Sequence, residues 1–309
     1  MSAVAVETAG TASADQAPIR RGKGRRWTSY ILPTYTWVVI VYLAFPIAVM
    51  IVFGFNDVPG RVSARWYGFT TQWYTQLFDN TELTAAFKNS IGIAVISSAV
   101  STLIGALLGL ALGRYRFKGA PSTNYLVFLA IASPEIVLGT SLLTMFVNAY
   151  TFIPQGFPTI LVSHIAFSIS FVAVTVRARV QGLSSSYEEA AQDLGADPLN
   201  TFRLVTLPLI MPSVISGFLL AFALSVDDFV ITSFVAGPTV TFPLYVAGAA
   251  KQGIPPQVNV MGTILFSVGV LAAISSAVAP AIASRRDAKR LSQDRELTAS
   301  LTASVGSKG

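Results

Sequence analysis

Apolar residues in this chain neither alternate with polar ones nor gather into one-sided stripes. They come in six nearly unbroken runs, at 31–53, 90–112, 124–149, 158–178, 209–235 and 258–283. A buried strand ends after about 4–8 residues and an amphipathic helix shows a polar face every third or fourth position, so neither explains runs of this length. At about 1.5 Å per residue each run crosses a hydrocarbon layer of about 30 Å. The pattern predicts an all-α membrane protein with six transmembrane helices. Residues 1–30 are Ala-, Ser- and Thr-rich at their start, lack periodicity, and read as a disordered N-terminal segment. The polar stretch 284–309 reads as a loose tail.

The first run follows "RRGKGRRW", a basic start that signal peptides share. It is too long for a signal h-region, and "GFNDVPGRVSARW" after it offers no small-residue cleavage site, so it reads as a retained helix. Composition agrees: 53% of residues are hydrophobic and only 12% charged, with a mean hydropathy of +0.62. A soluble domain carries about twice that charge. The absence of cysteine excludes disulfides, thiol catalysis and Cys-ligated metal, and a single histidine leaves little for a metal centre.

A pI near 9.6 raises the question of nucleic acid, and the placement of the basic residues answers it. With the N-terminus inside, the inner segments hold 5, 3, 3 and 6 basic residues, or 17 of the 21. Arg61, Arg65, Lys88 and Lys251 are left for the outer loops. The positive-inside rule therefore predicts cytoplasmic N- and C-termini, and no nucleic-acid partner. Trp66, Tyr67, Trp73 and Tyr74 in the first outer loop suit an aromatic belt at the membrane interface.

Between the fourth and fifth runs stands "EEAAQDLGADPLNTFRLVTLP", a polar island on the predicted cytoplasmic side. Glu188 and Glu189 open a helix-prone stretch, where acids suit the helix dipole. Gly195 is placed to close it in a left-handed conformation. Asp197 then reads as an N-cap, Pro198 as the first position of a second short helix, and Pro208 as its end. Ala190, Ala191 and Leu194 share one face of the first helix, and small alanines let another backbone approach closely. A solvated acidic surface loop and a DNA-binding helix-turn-helix are the competing readings. Four acids against Arg203, between membrane helices, argue against DNA.

Residues 189–208 resemble the EAA loop of ABC importer permeases: Glu189-Ala190-Ala191, three residues, Gly195, nine residues, Val205, one residue, Leu207-Pro208. "LGRYRFKGA", "ASPEIVLGTSLL", "SHIAFSISFVAVTVRARVQG" and "FALSVDDFVITSFVAGP" extend the resemblance toward the second membrane subunit of spermidine/putrescine importers. Relatives carrying iron, sulfate or thiamine share much of this. The resemblance implies a type I importer permease fold, with a core of five helices over 86–283 preceded by a variable helix at 31–53. It also implies a bacterial plasma-membrane location, a coupling loop at 187–208 and transport by alternating access. The implied partners are a second similar permease, a dimeric ABC ATPase and an extracytoplasmic substrate-binding protein, with membrane lipid around the helices. The sequence has no Walker A loop, so ATP and Mg²⁺ belong on the partner ATPase, with no cofactor on this chain and no enzymatic role for it. Glu188, Glu189, Ala190, Ala191, Leu194, Gly195 and Asp197 are the predicted coupling residues.

Three acids fall inside apolar runs: Glu135, Asp227 and Asp228. Glu135 lies about 16 Å into the third run, and the aspartates about 27 Å into the fifth. Charge at such depth is costly and faces the bundle interior or a water path. Ser133 and Pro134 suggest a cap and a fresh helix start that would satisfy Glu135 with backbone N–H groups; the alternative is a carboxylate facing a cationic substrate. Adjacent residues point about 100° apart, so one aspartate is expected to cap or pair and the other to face the path. His164 reads as a packed, hydrogen-bonded residue and a candidate partner for Glu135. Gly105, Gly109 and Gly113 form a stripe for close helix packing, inside the subunit or against another one. A permease for another small solute, or an ion-coupled secondary transporter, remains open on the acids alone.

Overall fold

The computed structural model describes residues 28–60 and 65–271, with 274, 275 and 278. The predicted N-terminal segment up to 27, the tail 284–309 and most of the last run beyond 271 lie outside the described residues. The elements in chain order are α1 (Thr28–Phe53), α2 (Gln72–Thr75), α3 (Thr81–Arg114), α4 (Ala120–Ala132), α5 (Glu135–Asn148) and α6 (Phe157–Gln181). There follow α7 (Ser186–Asp193), α8 (Pro198–Thr201), a π turn (Phe202–Thr206), α9 (Leu207–Asp227), α10 (Val230–Val235), α11 (Phe242–Gln252) and α12 (Pro256–Leu271). Among the described residues there is no strand, only an isolated antiparallel bridge between Asn56 and Phe69.

Four helical stretches are long and apolar enough to cross a membrane: Tyr30–Phe53, Thr81–Arg114, Phe157–Gln181 and Pro198–Asp227. A bent pair, α4 and α5, makes up to five. The chain divides into two compact units at Val49 and Met50. The first contains most of α1, a helix that tolerates Pro33 and Pro46 in its interior. The second contains everything that follows.

The runs and the helices differ in instructive places. α3 starts at Thr81 because Asn80 accepts from the Leu83 amide at 3.0 Å, an N-cap that the apolar run does not reveal. The third run is not one helix. Ser133, held extended before Pro134 (ψ 132°), turns the chain, and α4 and α5 meet at 108°. Ser133 does not cap α5; its hydroxyl donates back to the Leu129 carbonyl at 2.7 Å and serves the end of α4. The fifth run also breaks, at Asp228, which is extended (ψ 117°) between α9 and α10. Pro208, by contrast, ends nothing. The π turn ahead of it shifts bonding to an i→i+5 pattern, with the Leu207 amide reaching the Phe202 carbonyl. Widening the coil there relieves the clash a proline makes with the preceding turn.

The second unit is built inside out relative to a soluble bundle. Along α3 the buried positions are mostly small: Ala86, Ser90, Ala94, Ser97, Ser101, Gly105 and Gly109. Its large residues Ile96, Leu103 and Leu107 are exposed. In lipid there is no hydrophobic gain from hiding leucine, so close approach of small residues and interhelical hydrogen bonds hold helices together. The glycine stripe faces α6, not a second subunit. A Cβ on Gly109 would lie 2.5 Å from the Ala173 carbonyl oxygen, and one on Gly113 would lie 2.8 Å from Val180. Larger apolar residues fill three zones among the described residues: Ile93, Phe146, Ile160 and Ile231 across α3, α5, α6 and α10; Val172, Val176 and Ile210 across α6 and α9; and Leu77, Leu83, Val260 and Met261 where the start of α3 meets α12.

Candidate functional site

The polar island folds as two short helices joined by a tight bend. Glu188 and Glu189 occupy the first turn of α7. Gly195 has φ +86°, and its amide donates to the Gln192 carbonyl at 2.9 Å while the Ala196 amide donates to the Ala191 carbonyl at 3.0 Å. Those two bonds are a Schellman C-cap, which needs the left-handed residue that glycine supplies. Asp197 caps α8 through the Asn200 amide at 3.3 Å, with Pro198 in the first turn. The bend projects Leu194 (90% exposed) and Leu199 (71% exposed) away from the bundle, with Glu189, Ala190 and Asp197 also exposed and Ala191 half-buried. Glu188 differs from its neighbours: its carboxylate turns inward to Arg114 and Thr206.

Glu135 on α5 comes within electrostatic reach of Asp227, which stands beside Asp228 at the end of α9. Glu135 opens α5, and Gly139 one turn later lets α5 lie on α10, where a Cβ would come within 2.6 Å of the Phe234 ring. Asp227 ends α9 and lies in electrostatic reach of Glu135, Asp228 and His164. Glu135 and Asp227 are both exposed on the isolated chain.

Asp228 has a different environment, with its side chain only 6% exposed. Its Oδ2 accepts from the Thr232 amide at 2.8 Å and the Thr232 hydroxyl at 2.6 Å, and its Oδ1 accepts from the Ile231 amide at 3.3 Å. It therefore satisfies the first free N–H groups of α10. His164 pairs with Asp228, not with Glu135. Its Nε2 lies 3.2 Å from Asp228 Oδ2 and 2.9 Å from the Thr232 hydroxyl, and its Nδ1 lies 2.7 Å from the Ser225 hydroxyl. Ser225 in turn takes a bond from Ser97 at 3.0 Å. The pattern fits a ring carrying its hydrogen on Nε2, donating toward Asp228 and accepting from Ser225. One chain of bonds thus ties α3, α6, α9 and α10 at the helix break. Ser97, Ser225 and Thr232 were not legible as site residues one at a time, but "SVDDFVIT" places Ser225, Asp228 and Thr232 at spacings of three and four, on one helical face.

A separate cavity of about 860 Å³ opens near the start of α3, lined in part by Trp73, Asp79, Glu82 and Tyr245. Its two acids stand on either side of the Asn80–Thr81 start of α3, ahead of the apolar run at 90–112. Among the described residues no three His, Asp or Glu side chains cluster as metal ligands.

This backbone arrangement is shared with solved ABC importers. A bacterial alginate ABC transporter in complex with its alginate-bound periplasmic protein matches with a TM-score of 0.61 at 16% identity, over 81% of this chain and 92% of that one. The MetNI methionine ABC transporter in an inward-facing conformation matches with a TM-score of 0.54 at 16% identity, over 64% and 94%. The fold is that of an ABC importer membrane subunit. At the sequence level, residues 101–287 match the family described as binding-protein-dependent transport system inner membrane component. The chain belongs to that family and is a permease subunit of the inner membrane. It is 42% identical to the spermidine/putrescine transport system permease protein PotC of Escherichia coli K12, over 77% of this chain and 89% of that protein. It is 36% identical to the PotC protein of Haemophilus influenzae, over 80% and 95%. It is also 36% identical to the putrescine transport system permease protein PotI of Escherichia coli K12, over 77% and 88%.

Proposed function

We propose that this chain is one of two membrane subunits of an ATP-driven importer of polyamines. It has six spans and cytoplasmic termini, and its loop 187–208 seats the ATPase. The observation that carries this reading is the helical pair around Gly195, with Leu194 and Leu199 standing free at the end of a bundle whose lipid-facing sides are already apolar. Exposed leucine on a polar loop suits a protein groove better than water. The permease core is taken as 86–283, with the helix at 31–53 an addition. A second similar permease, two ATPase copies and an outer substrate-binding protein complete the assembly, and ATP and Mg²⁺ bind on the ATPase. ATP closes the ATPase dimer, the coupling helices approach one another, and the path opens outward.

Polyamines are chains of two or more ammonium groups, and spaced carboxylates suit them. Glu135 and Asp227, exposed beside a helix break, supply two such groups. The sequence relatives named for spermidine and putrescine support the same substrate class. Deleting the gene is expected to abolish the ATP-dependent fraction of labelled spermidine or putrescine uptake, and the cloned gene to restore it. Uptake unaffected by deletion would assign the chain to another solute. Uptake that collapses with the ion gradient while ATP is held constant would favour a secondary transporter. The span count has its own check: a reporter fused after Gly309 is expected in the cytoplasm and one inserted near Arg61 outside, and the reverse pattern would overturn the topology.

A further inference from the structure

No side chain of α7 is fully buried, and only Glu188 and Ala191 are half-buried, so packing holds this helix weakly. Something else fixes its angle against the bundle. Arg114, the last residue of α3, reaches across to it. Its Nε and Nη2 both lie 2.8 Å from Glu188 Oε2, its Nη1 donates to the Leu183 carbonyl at 3.2 Å, and its Nη2 to the Ser184 carbonyl at 3.4 Å. The other carboxylate oxygen of Glu188, Oε1, accepts from the Thr206 hydroxyl at 2.8 Å. The ion pair is largely shielded, with the two side chains 17% and 23% exposed, and Thr206 is buried. A single guanidinium thus joins the first turn of α7 to the end of α3, to the chain leaving α6, and through Glu188 to the π turn that enters α9. From that turn α9 runs without interruption to Asp227.

We propose that Arg114, Glu188 and Thr206 form a clasp that transmits displacement of α7 into α3 and α9. Glu188 and Arg114 are then positioning residues for transport, and Glu188 is not a contact for the ATPase. With so little side-chain burial, packing alone would hold the tilt of α7 only loosely. The clasp makes its displacement a pull on α3 and α9, the two helices that carry Ser97 and Ser225 into the hydrogen-bond chain with His164 and Asp228. Thr206 ends a π turn, a locally underbonded segment of the kind found where helices adjust, so the pull is delivered at a compliant point. The proposal rests on the reading that 187–208 seats the ATPase.

The test uses the whole complex, with both permeases, the ATPase and the binding protein, in proteoliposomes supplied with ATP and labelled spermidine. Three quantities are read: ATPase captured, ATP hydrolysed, and spermidine moved per ATP. Glu188→Gln and Thr206→Val are expected to capture ATPase normally while spermidine moved per ATP falls, by about 10-fold for Glu188→Gln, within the usual span of coupling effects. The double variant Arg114→Met with Glu188→Leu removes both charges, so no unpaired charge is left to disturb assembly. It is expected to assemble and to show the same low ratio. An unchanged ratio in assembled double-variant complex would overturn the clasp. So would loss of ATPase capture by Glu188→Gln as severe as that caused by Ala191→Trp, since Glu188 would then be a contact. Normal capture by Ala191→Trp would instead overturn the loop reading beneath it, so the two failures are distinguishable.

Discussion

Asp228→Asn will cost assembled complex, and Asp227→Asn will cost transport by complex that still assembles. The two aspartates are neighbours in sequence, yet one is closed in and the other open. Asp228 accepts from two amides, a hydroxyl and His164. An amide in its place turns a donor toward groups that are themselves donors. Breaking a buried pair of this kind costs about 3 kcal/mol or more. His164→Phe is expected to act alike, because it strands Ser225 and Asp228 together. Asp227 makes no such set of bonds and lies exposed near Glu135. Neutralising it removes an attraction for an ammonium group of about 1–3 kcal/mol, or roughly 5- to 140-fold in uptake per complex. Spermidine, with one more ammonium than putrescine, should suffer more. Glu135→Gln is expected to follow Asp227→Asn. The measurement is paired: assembled complex by co-purification, and uptake divided by that amount. If every variant transports normally, or if each fails only through lost assembly, no cation path runs past these residues.

The second large effect is expected at the bend of the coupling loop. Gly195→Val should leave the chain in the membrane but strip it of ATPase and of uptake. Nothing lies within 4 Å of a Cβ built on Gly195, so crowding is not the cause. The cause is φ +86°, which a β-branched residue tolerates poorly. Strain of this type costs about 1–3 kcal/mol, enough to unwind the Schellman cap and re-aim α8. Gly195→Asn separates backbone from contact, because asparagine visits the left-handed region. It is expected to keep most of its capture of ATPase. Ala191→Trp should fail for the opposite reason, by filling the face on which another backbone is to approach. Full capture and normal uptake by both Gly195→Val and Ala191→Trp would remove the loop from the coupling mechanism.

What the sequence made legible followed from local rules. Gly195 and Asp197 were readable because a C-cap and an N-cap are set by a handful of adjacent residues. The stripe Gly105, Gly109 and Gly113 was readable because it repeats every four positions on a helix whose existence the apolar run already declared. Pro208 misled because a proline signals the clash it creates and not the π turn that relieves it. The run 209–235 concealed its break at Asp228, since phenylalanine, valine and isoleucine on the far side continue the apolar tally without continuing the helix. His164 was matched to the wrong acid for a different reason. Its partner is chosen by how α6, α9 and α10 pack, and no spacing within one segment carries that information. Arg114 and Glu188 stand 74 residues apart, so their pairing was equally invisible.

The 2.5 Å gap between a Cβ at Gly109 and the Ala173 carbonyl oxygen also restricts how this lineage can vary. A carbonyl belongs to every amino acid, so no replacement at 173 can make room for a side chain at 109. Compensating change across that contact is closed, and drift at 109 is arrested whatever happens opposite it. Gly113 meets the Val180 side chain, Cγ1 at 2.8 Å and Cβ at 3.0 Å, and there alanine opposite would ease the constraint and glycine would lift most of it. Two glycines one turn apart on the same stripe should therefore carry different evolutionary records: one fixed, the other free to trade volume with its neighbour.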